Sequence, residues 1–173
     1  ATQTASGSAN LSFTSGIDDT YDSYVFKFYD IHPASNTVNF QINASTDGGS
    51  NYNATKTTTY FLAYHTENDS GYALQYYANR DLAQSTSAQQ IVTIGNANDD
   101  SASGTLTLYN PSSTTFVKHF LSRQQAPTGE ATQNCKDTYV AGYFNTTSAI
   151  NAVQFTMSSG NIDSGVIKLY GVS

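Results

Sequence analysis

Residues 38–64 read VNFQINASTDGGSNYNATKTTTYFLAY. In Val38–Ser45, apolar and polar residues alternate with a period of two, which is typical of a strand with one buried face. The cluster Asp47–Asn51 favours a tight reversal because Gly and Asn tolerate positive φ. Thr57–Tyr64 is β-branched and aromatic, as a pleated, half-buried surface prefers. The stretch therefore predicts a β-hairpin.

This hairpin predicts which side chains enter the core. Phe40 and Ile42 share the apolar face of the first strand, and Phe61 or Leu62 completes the core from the second strand. The predicted solvent face of the first strand consists of Asn39, Gln41, Asn43 and Ser45.

Further strand patterns follow at intervals of about ten residues, with turn signals between them. Gly104–Tyr109 and Thr115–Arg123 predict a second hairpin, and Gln125–Asp137 predicts a long loop. This spacing predicts an all-β fold, an antiparallel β-sandwich of jelly-roll type with eight or nine strands. The other predicted strands are Asn10–Phe13, Tyr21–Ile31, Tyr72–Tyr77, Gln90–Ile94, Thr138–Phe144, Ile150–Met157 and Gly165–Val172.

The strand Tyr21–Ile31 is apolar on both faces, which indicates a central strand with one face in the core and the other against a loop or a neighbouring chain. Its two faces are predicted to be Tyr24, Phe26 and Phe28, and Val25, Tyr29 and Ile31. Residues 1–9 are small and polar and predict a flexible N-terminal arm, and residues 10–173 predict a single β-sandwich domain.

Composition and charge exclude several function classes. Charged residues are only 12% of the chain, and 13 acidic residues against 7 scattered basic ones give a net charge of −6. Phosphate neutralisation needs clustered bases, so we expect no nucleic-acid partner and no anionic membrane partner. The 13 Tyr and 9 Phe residues are typical of all-β proteins on outer surfaces, such as capsid proteins, adhesins and carbohydrate binders.

Cys135 is the only cysteine, so the fold uses no internal disulfide. We expect a partly buried small residue here, with a reactive or intermolecular thiol as the alternative. The lack of disulfides favours folding in a reducing cytoplasm.

The segment Ser45–Tyr52 resembles the Asp-box turn (S-x-D-x-G-x-T-W) of sialidases and other propeller proteins, in a single copy with Asn51 and Tyr52 at its last two positions. The resemblance implies a structural turn, in which Asp47 caps backbone amides of its own loop and Tyr52 packs beneath it. Gly48 and Gly49 would permit the reversal.

Tyr72, Tyr76, Tyr77 and Arg80 form the candidate binding cluster, in the least regular part of the chain. Tyrosine stacks on sugar rings and donates hydrogen bonds, which favours a glycan site. Tyrosine and arginine are also enriched in subunit interfaces, so a subunit interface remains the alternative.

No catalytic signature stands out, so we expect no enzyme, no cofactor and no metal. The acidic groups at Asp18, Asp19 and Asp22 and at Asp99 and Asp100 suit turn capping better than a glycosidase pair. The three histidines, at positions 32, 65 and 119, lack zinc-ligand spacing.

Several short stretches, in this order along the chain, resemble small structural proteins of marine tailed phages. The resemblance implies a β-sandwich virion protein of the tail-fibre or capsid-decoration type, assembled in the host cytoplasm. Its partners would be other virion proteins, further copies of itself with a trimer favoured, and a host surface glycan; the alternative is a carbohydrate-binding module of a secreted or surface protein. The stretches are Phe13–Asp18, Tyr21, Tyr24–Phe26, His32-Pro33, Ser45–Asn53, Asn110–Phe116, Ser159–Gly165 and Leu169–Gly171.

Overall fold

The structure, a computed structural model, describes residues 1–127 and 133–173. The described residues form two antiparallel sheets that pack face to face, which confirms the predicted all-β sandwich class. The strands are β1 (Thr2–Ser8), β2 (Asn10–Phe13), β3 (Ser23–Pro33), β4 (Val38–Ser45), β5 (Lys56–Thr66), β6 (Tyr72–Tyr76), β7 (Gln89–Ile94), β8 (Ala102–Tyr109), β9 (Lys118–Pro127), β10 (Asn134–Phe144), β11 (Ala152–Met157) and β12 (Ile162–Val172).

The large sheet has eight strands in the order β1-β12-β3-β8-β9-β10-β5-β6, and the small sheet has four in the order β2-β11-β4-β7. The predicted count of eight or nine strands is therefore too low for the described residues. The chain passes from one sheet to the other at most connections, as in Greek-key sandwiches. The jelly-roll assignment stays a prediction.

The N-terminal arm prediction is wrong. Strand β1 pairs antiparallel with β12, from Thr2 opposite Lys168 to Ser8 opposite Ile162. Ala5 is buried against the core. The sequence missed β1 because an edge strand that buries little can be built from polar residues, which give no hydrophobic alternation.

The predicted hairpin over residues 38–64 is also wrong. Strands β4 and β5 are real, but β4 lies in the small sheet and β5 in the large one. Both strands bury one face in the same core, so their alternation is identical whether they pair side by side or face each other across a sandwich. The turn at Asp47 starts a crossover between the sheets.

The predicted solvent face of β4 holds only for its first half. Asn43 and Ser45 are buried, at 8% and 0% exposure. Burial is tolerated because both are hydrogen-bonded: Asn43 Nδ2 donates to the Thr86 carbonyl over 2.9 Å, and Ser45 Oγ donates to Asp47 Oδ1 over 2.6 Å.

Strand β3 departs from strict alternation near its end. Tyr24, Phe26 and Phe28 share one face, as predicted, and it is the buried face; Ile31 is also buried instead of sharing the outer face with Val25. The pairing register with β8 shifts between Phe28 and Ile31, and Asp30 has a φ of 50°. A bulge of this kind re-aims the residues that follow it.

The core is organised around Phe155 of β11. Its ring centroid lies 5.1 Å from Phe28, 5.2 Å from Phe26, 5.6 Å from Phe40 and 6.4 Å from Phe13. Three of these contacts are edge-to-face, an arrangement that adds to the gain from apolar burial. Phenylalanines of both sheets thus meet at one point.

The second predicted hairpin is confirmed, since β8 and β9 pair antiparallel. Phe116 precedes β9 and is exposed, so the strand starts later than predicted. The predicted loop Gln125–Asp137 is largely strand: β9 continues to Pro127 and β10 begins at Asn134. The middle of that prediction, residues 128–132, lies outside the described residues.

The single helical element in the described ranges is a 3₁₀ turn at Ala78–Arg80. None of the described helical segments is long and apolar enough to cross a membrane.

Candidate functional site

The outer face of the large sheet, defined by the side chains that point away from the small sheet, carries exposed aromatic and apolar groups. Alternation along each strand puts these groups opposite the buried ones. Five of them, on strands other than the two edge strands, are each at least about a third exposed. They are Tyr29, Phe61, Tyr109, Leu121 and Tyr170. Such a set on one face marks the surface most suited to binding.

A three-layer stack stands on this face. The rings of Phe61 on β5 and Tyr139 on β10 are parallel within 2°, with centroids 4.9 Å apart. Arg123, on the other neighbour of β10, places its guanidinium carbon 4.9 Å from the Tyr139 centroid. Both faces of the Tyr139 ring are therefore covered, so only its edge and hydroxyl remain available.

Asp137 holds the stack in position. Arg123 Nε donates to Asp137 Oδ1 over 3.0 Å and Arg123 Nη2 donates to Oδ2 over 2.7 Å, a two-pronged ion pair. The Tyr139 hydroxyl donates to the same Oδ2 over 3.1 Å. The hydrogen bonds from Arg123 lower the pKa of Asp137, and the carboxylate in turn raises the pKa of Arg123. The charges are fixed in place at neutral pH.

Two shallow depressions of about 440 and 360 Å³ lie beside the stack and share Leu121 and Ala141 as floor. The larger depression is bordered by the stack on one side and by Thr105, Thr107 and Tyr109 of β8 on the other. The smaller one is lined by residues that include Thr57, Thr59, His119 and Tyr143. Together the two depressions, here called the groove, have a mainly apolar lining, with hydroxyl-bearing residues along the larger one.

The predicted cluster of Tyr72, Tyr76, Tyr77 and Arg80 is divided by the structure. Tyr72 and Tyr76 lie on β6 and are 77% and 62% exposed. Tyr76 also donates its hydroxyl proton to Asp81.

Tyr77 and Arg80 belong instead to a packed arrangement at the end of β6. The Arg80 guanidinium carbon lies 4.5 Å from the Tyr77 ring and 5.1 Å from the Tyr60 ring, and Nη1 donates to the Tyr60 hydroxyl over 3.0 Å. Tyr60 is fully buried. This part of the predicted cluster covers the core beyond the small sheet, while Tyr72 and Tyr76 are exposed on β6.

The turn at Asp47 has the geometry that the sequence indicates. Asp47 Oδ1 accepts a hydrogen bond from the Asn51 amide over 2.9 Å, and Gly48 and Gly49 have φ values of 73° and 90°. A Cβ on Gly49 would lie 2.7 Å from the Tyr52 hydroxyl, so Tyr52 packs against the loop. Hydrogen bonds, chiefly from Ser45, lower the pKa of Asp47 to about 2.

Two of the acidic candidates, Asp18 and Asp100, serve local structure. Asp18 accepts hydrogen bonds from the Thr20 amide and the Tyr24 hydroxyl, and Asp100 accepts one from the Ala97 amide. These contacts are turn caps, as expected from the sequence.

The three histidines have separate surroundings. His32 lies 3.2 Å from the Ala97 carbonyl, His65 pairs with Asp69 at 3.0 Å, and the ring of His119 neighbours Tyr143. Within residues 1–127 and 133–173, no group of three or more potential metal ligands occurs.

The expected partial burial of Cys135 is wrong: its side chain is exposed on β10, where Gln125 Nε2 lies 3.8 Å from the sulfur. Exposure follows from its position opposite His65 on the outer side of the sheet, near the end of the strand.

Sequence reasoning missed two buried lysines and one exposed leucine. Lys56 donates to the Ser87 carbonyl over 2.6 Å, and Lys118 donates to the Phe116 and Thr146 carbonyls over 2.9 and 3.1 Å. Burial lowers the pKa of Lys56 to about 8. Leu74, between Tyr72 and Tyr76, is 74% exposed. Because these three residues are spaced two apart on one strand, the sequence pattern alone could have placed them on the same face.

Comparisons of the chain with protein-family models, with curated proteins and with solved structures find no match.

Proposed function

We propose that this chain is a non-enzymatic structural domain of a tailed-phage particle, exposed as a tail-fibre or capsid-decorating component. The outer face of the large sheet carries this proposal, because it presents Tyr, Phe, Leu and Arg side chains together on one wide surface. Tyrosine and arginine are among the side chains enriched where proteins bind one another.

Two further observations support a structural role. The carboxylates of Asp18, Asp47 and Asp100 accept hydrogen bonds within their own loops, which occupies them in shaping turns. The exposed, unpaired Cys135 suits assembly in the reducing cytoplasm of a host.

The proposal is tested by mass spectrometry of purified phage particles, with quantification of copy number. Hundreds of copies per particle would indicate a decoration or major tail protein. A few copies per particle would indicate a fibre. A chain that is found only in the lysate and never co-purifies with particles would contradict the proposal. An abundant host protein, measured in the same particles, serves as the control for carry-over.

Carbohydrate binding is the second candidate, and the groove on the outer face favours it. Its larger depression has a volume within the usual range of small-ligand sites. Thr105 and Thr107 offer hydroxyls to sugar hydroxyls, and Leu121 supplies an apolar floor. Since Phe61 and Arg123 cover Tyr139, the stacking platform for a sugar ring would be Tyr109.

A glycan array tests this candidate, with titration calorimetry on any hit. Tyr109→Ala should weaken binding at least about tenfold, since stacking and burial of one aromatic contribute more than 1 kcal/mol. Tyr170→Ala, an exposed tyrosine on the same face but outside the groove, is the matched control and should leave affinity unchanged. No hit on the array, or equal loss in both variants, would remove carbohydrate binding as a function.

A further inference from the structure

Strand β6 is an edge of the large sheet that is not protected in the usual ways. It pairs with β5 along one side, and it is the last strand in the order of the described sheet. Natural edges are commonly blunted by charged side chains or proline. The sequence of β6, YALQY, contains neither. Its side chains Tyr72, Leu74 and Tyr76 are 77%, 74% and 62% exposed.

The unused backbone groups of β6 follow from its pairing with β5. The Tyr77 amide donates to the Tyr60 carbonyl over 3.1 Å, and the Gly71 carbonyl accepts from the Thr66 amide over 2.9 Å. Residues 71 and 77 thus direct their amide and carbonyl groups toward β5. Because this direction alternates along a strand, Tyr72, Leu74 and Tyr76 direct theirs away from the sheet. The residues with exposed side chains are the ones whose backbone groups face outward.

The sequence of β6 is nearly symmetric about Leu74. Tyr72 and Tyr76 lie two residues before and after it, with Ala73 and Gln75 between. An antiparallel copy of β6, related by a two-fold axis at Leu74, would place Leu74 opposite itself and Tyr72 opposite Tyr76. Both are hydrogen-bonded pairings in the register that the free backbone groups require, and together they supply about six interchain hydrogen bonds.

We propose that two copies of this chain associate through β6, antiparallel and centred on Leu74, so that the large sheets of both subunits continue into each other. The contact is isologous, because the same strand serves both subunits. It does not depend on the proposed function, since a free dimer and a virion-bound one would use the same edge.

The exposed apolar side chains of β6 favour a second copy at this edge over one at the opposite edge. No charged side chain of β6 would face its symmetry mate, so the two strands meet without local repulsion. Each chain nevertheless carries a net charge of −6, so the subunits repel at long range. Association should therefore strengthen as salt screens that repulsion. Strand β1, the other edge, exposes mainly Thr and Ser and offers little apolar surface.

The area also fits a modest dimer. A buried tyrosine removes about 150–250 Å² from water. Four tyrosines and two leucines in partial burial, with the backbone between them, approach the roughly 1,000 Å² at which biological interfaces begin. We therefore expect a dimer that dissociates on dilution.

Native mass spectrometry and light scattering across a dilution series test the proposal. Wild type should form a dimer, and Leu74→Lys should raise its dissociation constant roughly 100-fold, because two like charges would face each other at the axis. Leu74→Glu alone should weaken the dimer in the same way. An equal mixture of the Lys and Glu variants should restore a heterodimer, since opposite charges then meet at the axis.

Thr4→Lys, an exposed position on β1, is the matched control and should leave the dimer intact. Leu74 is mostly exposed, so circular dichroism should show both of its variants folded. A strict monomer at all concentrations would overturn the proposal. So would a dimer or trimer unaffected by Leu74→Lys, and so would a mixture of the Lys and Glu variants that stays monomeric.

Discussion

The two faces of the large sheet are both rich in aromatic residues, but phenylalanine is prominent on the inner face and tyrosine on the outer one. The inner face presents phenylalanines such as Phe26 and Phe28, which are fully or almost fully buried and pack edge-to-face on Phe155. The outer face presents tyrosines that lie beside cations. Arg123 covers Tyr139, Lys27 Nζ lies 5.4 Å from the Tyr170 ring, and Lys168 Nζ lies 5.3 Å from the Tyr29 ring.

This difference indicates that the inner face serves mainly the stability of the fold and that the outer face is suited to binding a partner. Rings without polar atoms gain most from leaving water, so the inner face stabilises the fold. Tyrosines beside cations keep part of their surface in water with a hydroxyl and a charge at hand, which suits binding to a partner. Substitutions on the two faces should therefore change different measurements.

Removing the ring at the centre of the inner face should have the largest effect. Phe155→Ala is expected to lower the free energy of unfolding by about 3–5 kcal/mol, because it leaves a cavity among four aromatic rings. Urea denaturation followed by circular dichroism measures the loss. Tyr170→Ala, on the outer face, is the control and should cost less than about 1 kcal/mol. Equal losses in both variants would break the distinction between the faces.

Adjacent positions on β10 sharpen the comparison. A Cβ on Gly142 would lie 2.7 Å from Thr58 Cγ2 and 2.8 Å from Phe120 Cζ, both on the inner side. Gly142→Ala is therefore expected to destabilise the fold by about 1–3 kcal/mol through overpacking. Ala141→Ser, one residue earlier on the outer face, should be nearly neutral. Thermal unfolding of both variants measures the difference in stability. A Gly142→Ala variant as stable as wild type would contradict the prediction.

Lys56, like Lys118, is a buried lysine on the inner side, and its ammonium lies 2.6 Å from the Ser87 carbonyl oxygen and 5.7 Å from the centroid of the Phe144 ring. Its pKa of about 8 lies below the ordinary value of 10.5. Between those pH values the unfolded chain binds more protons than the folded one, so stability rises with pH in that window. Below pH 8 the buried charge is destabilising.

Lys56→Met should therefore stabilise the fold at pH 7, by about 1–2 kcal/mol after the lost hydrogen bond is deducted. Its advantage over wild type should shrink as pH rises from 8 to above 10. Denaturant titrations at several pH values measure this difference. Lys27→Met, which removes an exposed lysine from the outer face, should show no such trend; an identical trend in both variants would contradict the assignment to Lys56.

The sequence predicts the burial of individual strands better than their placement. Tyr24, Phe26 and Phe28 share one face of β3, as their alternation indicates, and that face is buried. Alternation groups the side chains of a strand by face but does not determine which strands it pairs with. For this reason β4 and β5 were predicted to form a hairpin, although they lie in different sheets. Strand β1 escaped notice because its polar residues carry no pattern.

The candidate site was harder to predict than the fold. Tyr72, Tyr76, Tyr77 and Arg80 are close in sequence, but only the first two are exposed. The stack of Phe61, Tyr139 and Arg123 joins three strands that are distant in sequence, and it depends on their register. Because the register of each strand depends on its neighbours in the sheet, no local stretch of sequence predicts the stack.

The ion pair that holds the stack should have the smallest effect on stability. Asp137→Asn removes the partner of Arg123, but the Arg123 side chain is 63% exposed, so water already weakens the pair. The folded-state pKa of Asp137 is depressed, so its contribution is fully present above the ordinary pKa of about 3.9 and is lost as pH falls through the lower value. Wild type should exceed the variant slightly in melting temperature at pH 7, and the two should converge in strong acid.

Scanning calorimetry at pH 7 and near pH 2 measures this convergence, and Asp19→Asn, on an exposed loop, controls for the loss of one negative charge. The same variant tests what the outer face is for. If the stack serves recognition, Asp137→Asn should weaken partner or glycan binding far more than it changes the melting temperature, because Arg123 would no longer be fixed against Tyr139. A large loss of stability with unchanged binding would instead show that this part of the outer face stabilises the fold, as the inner face does.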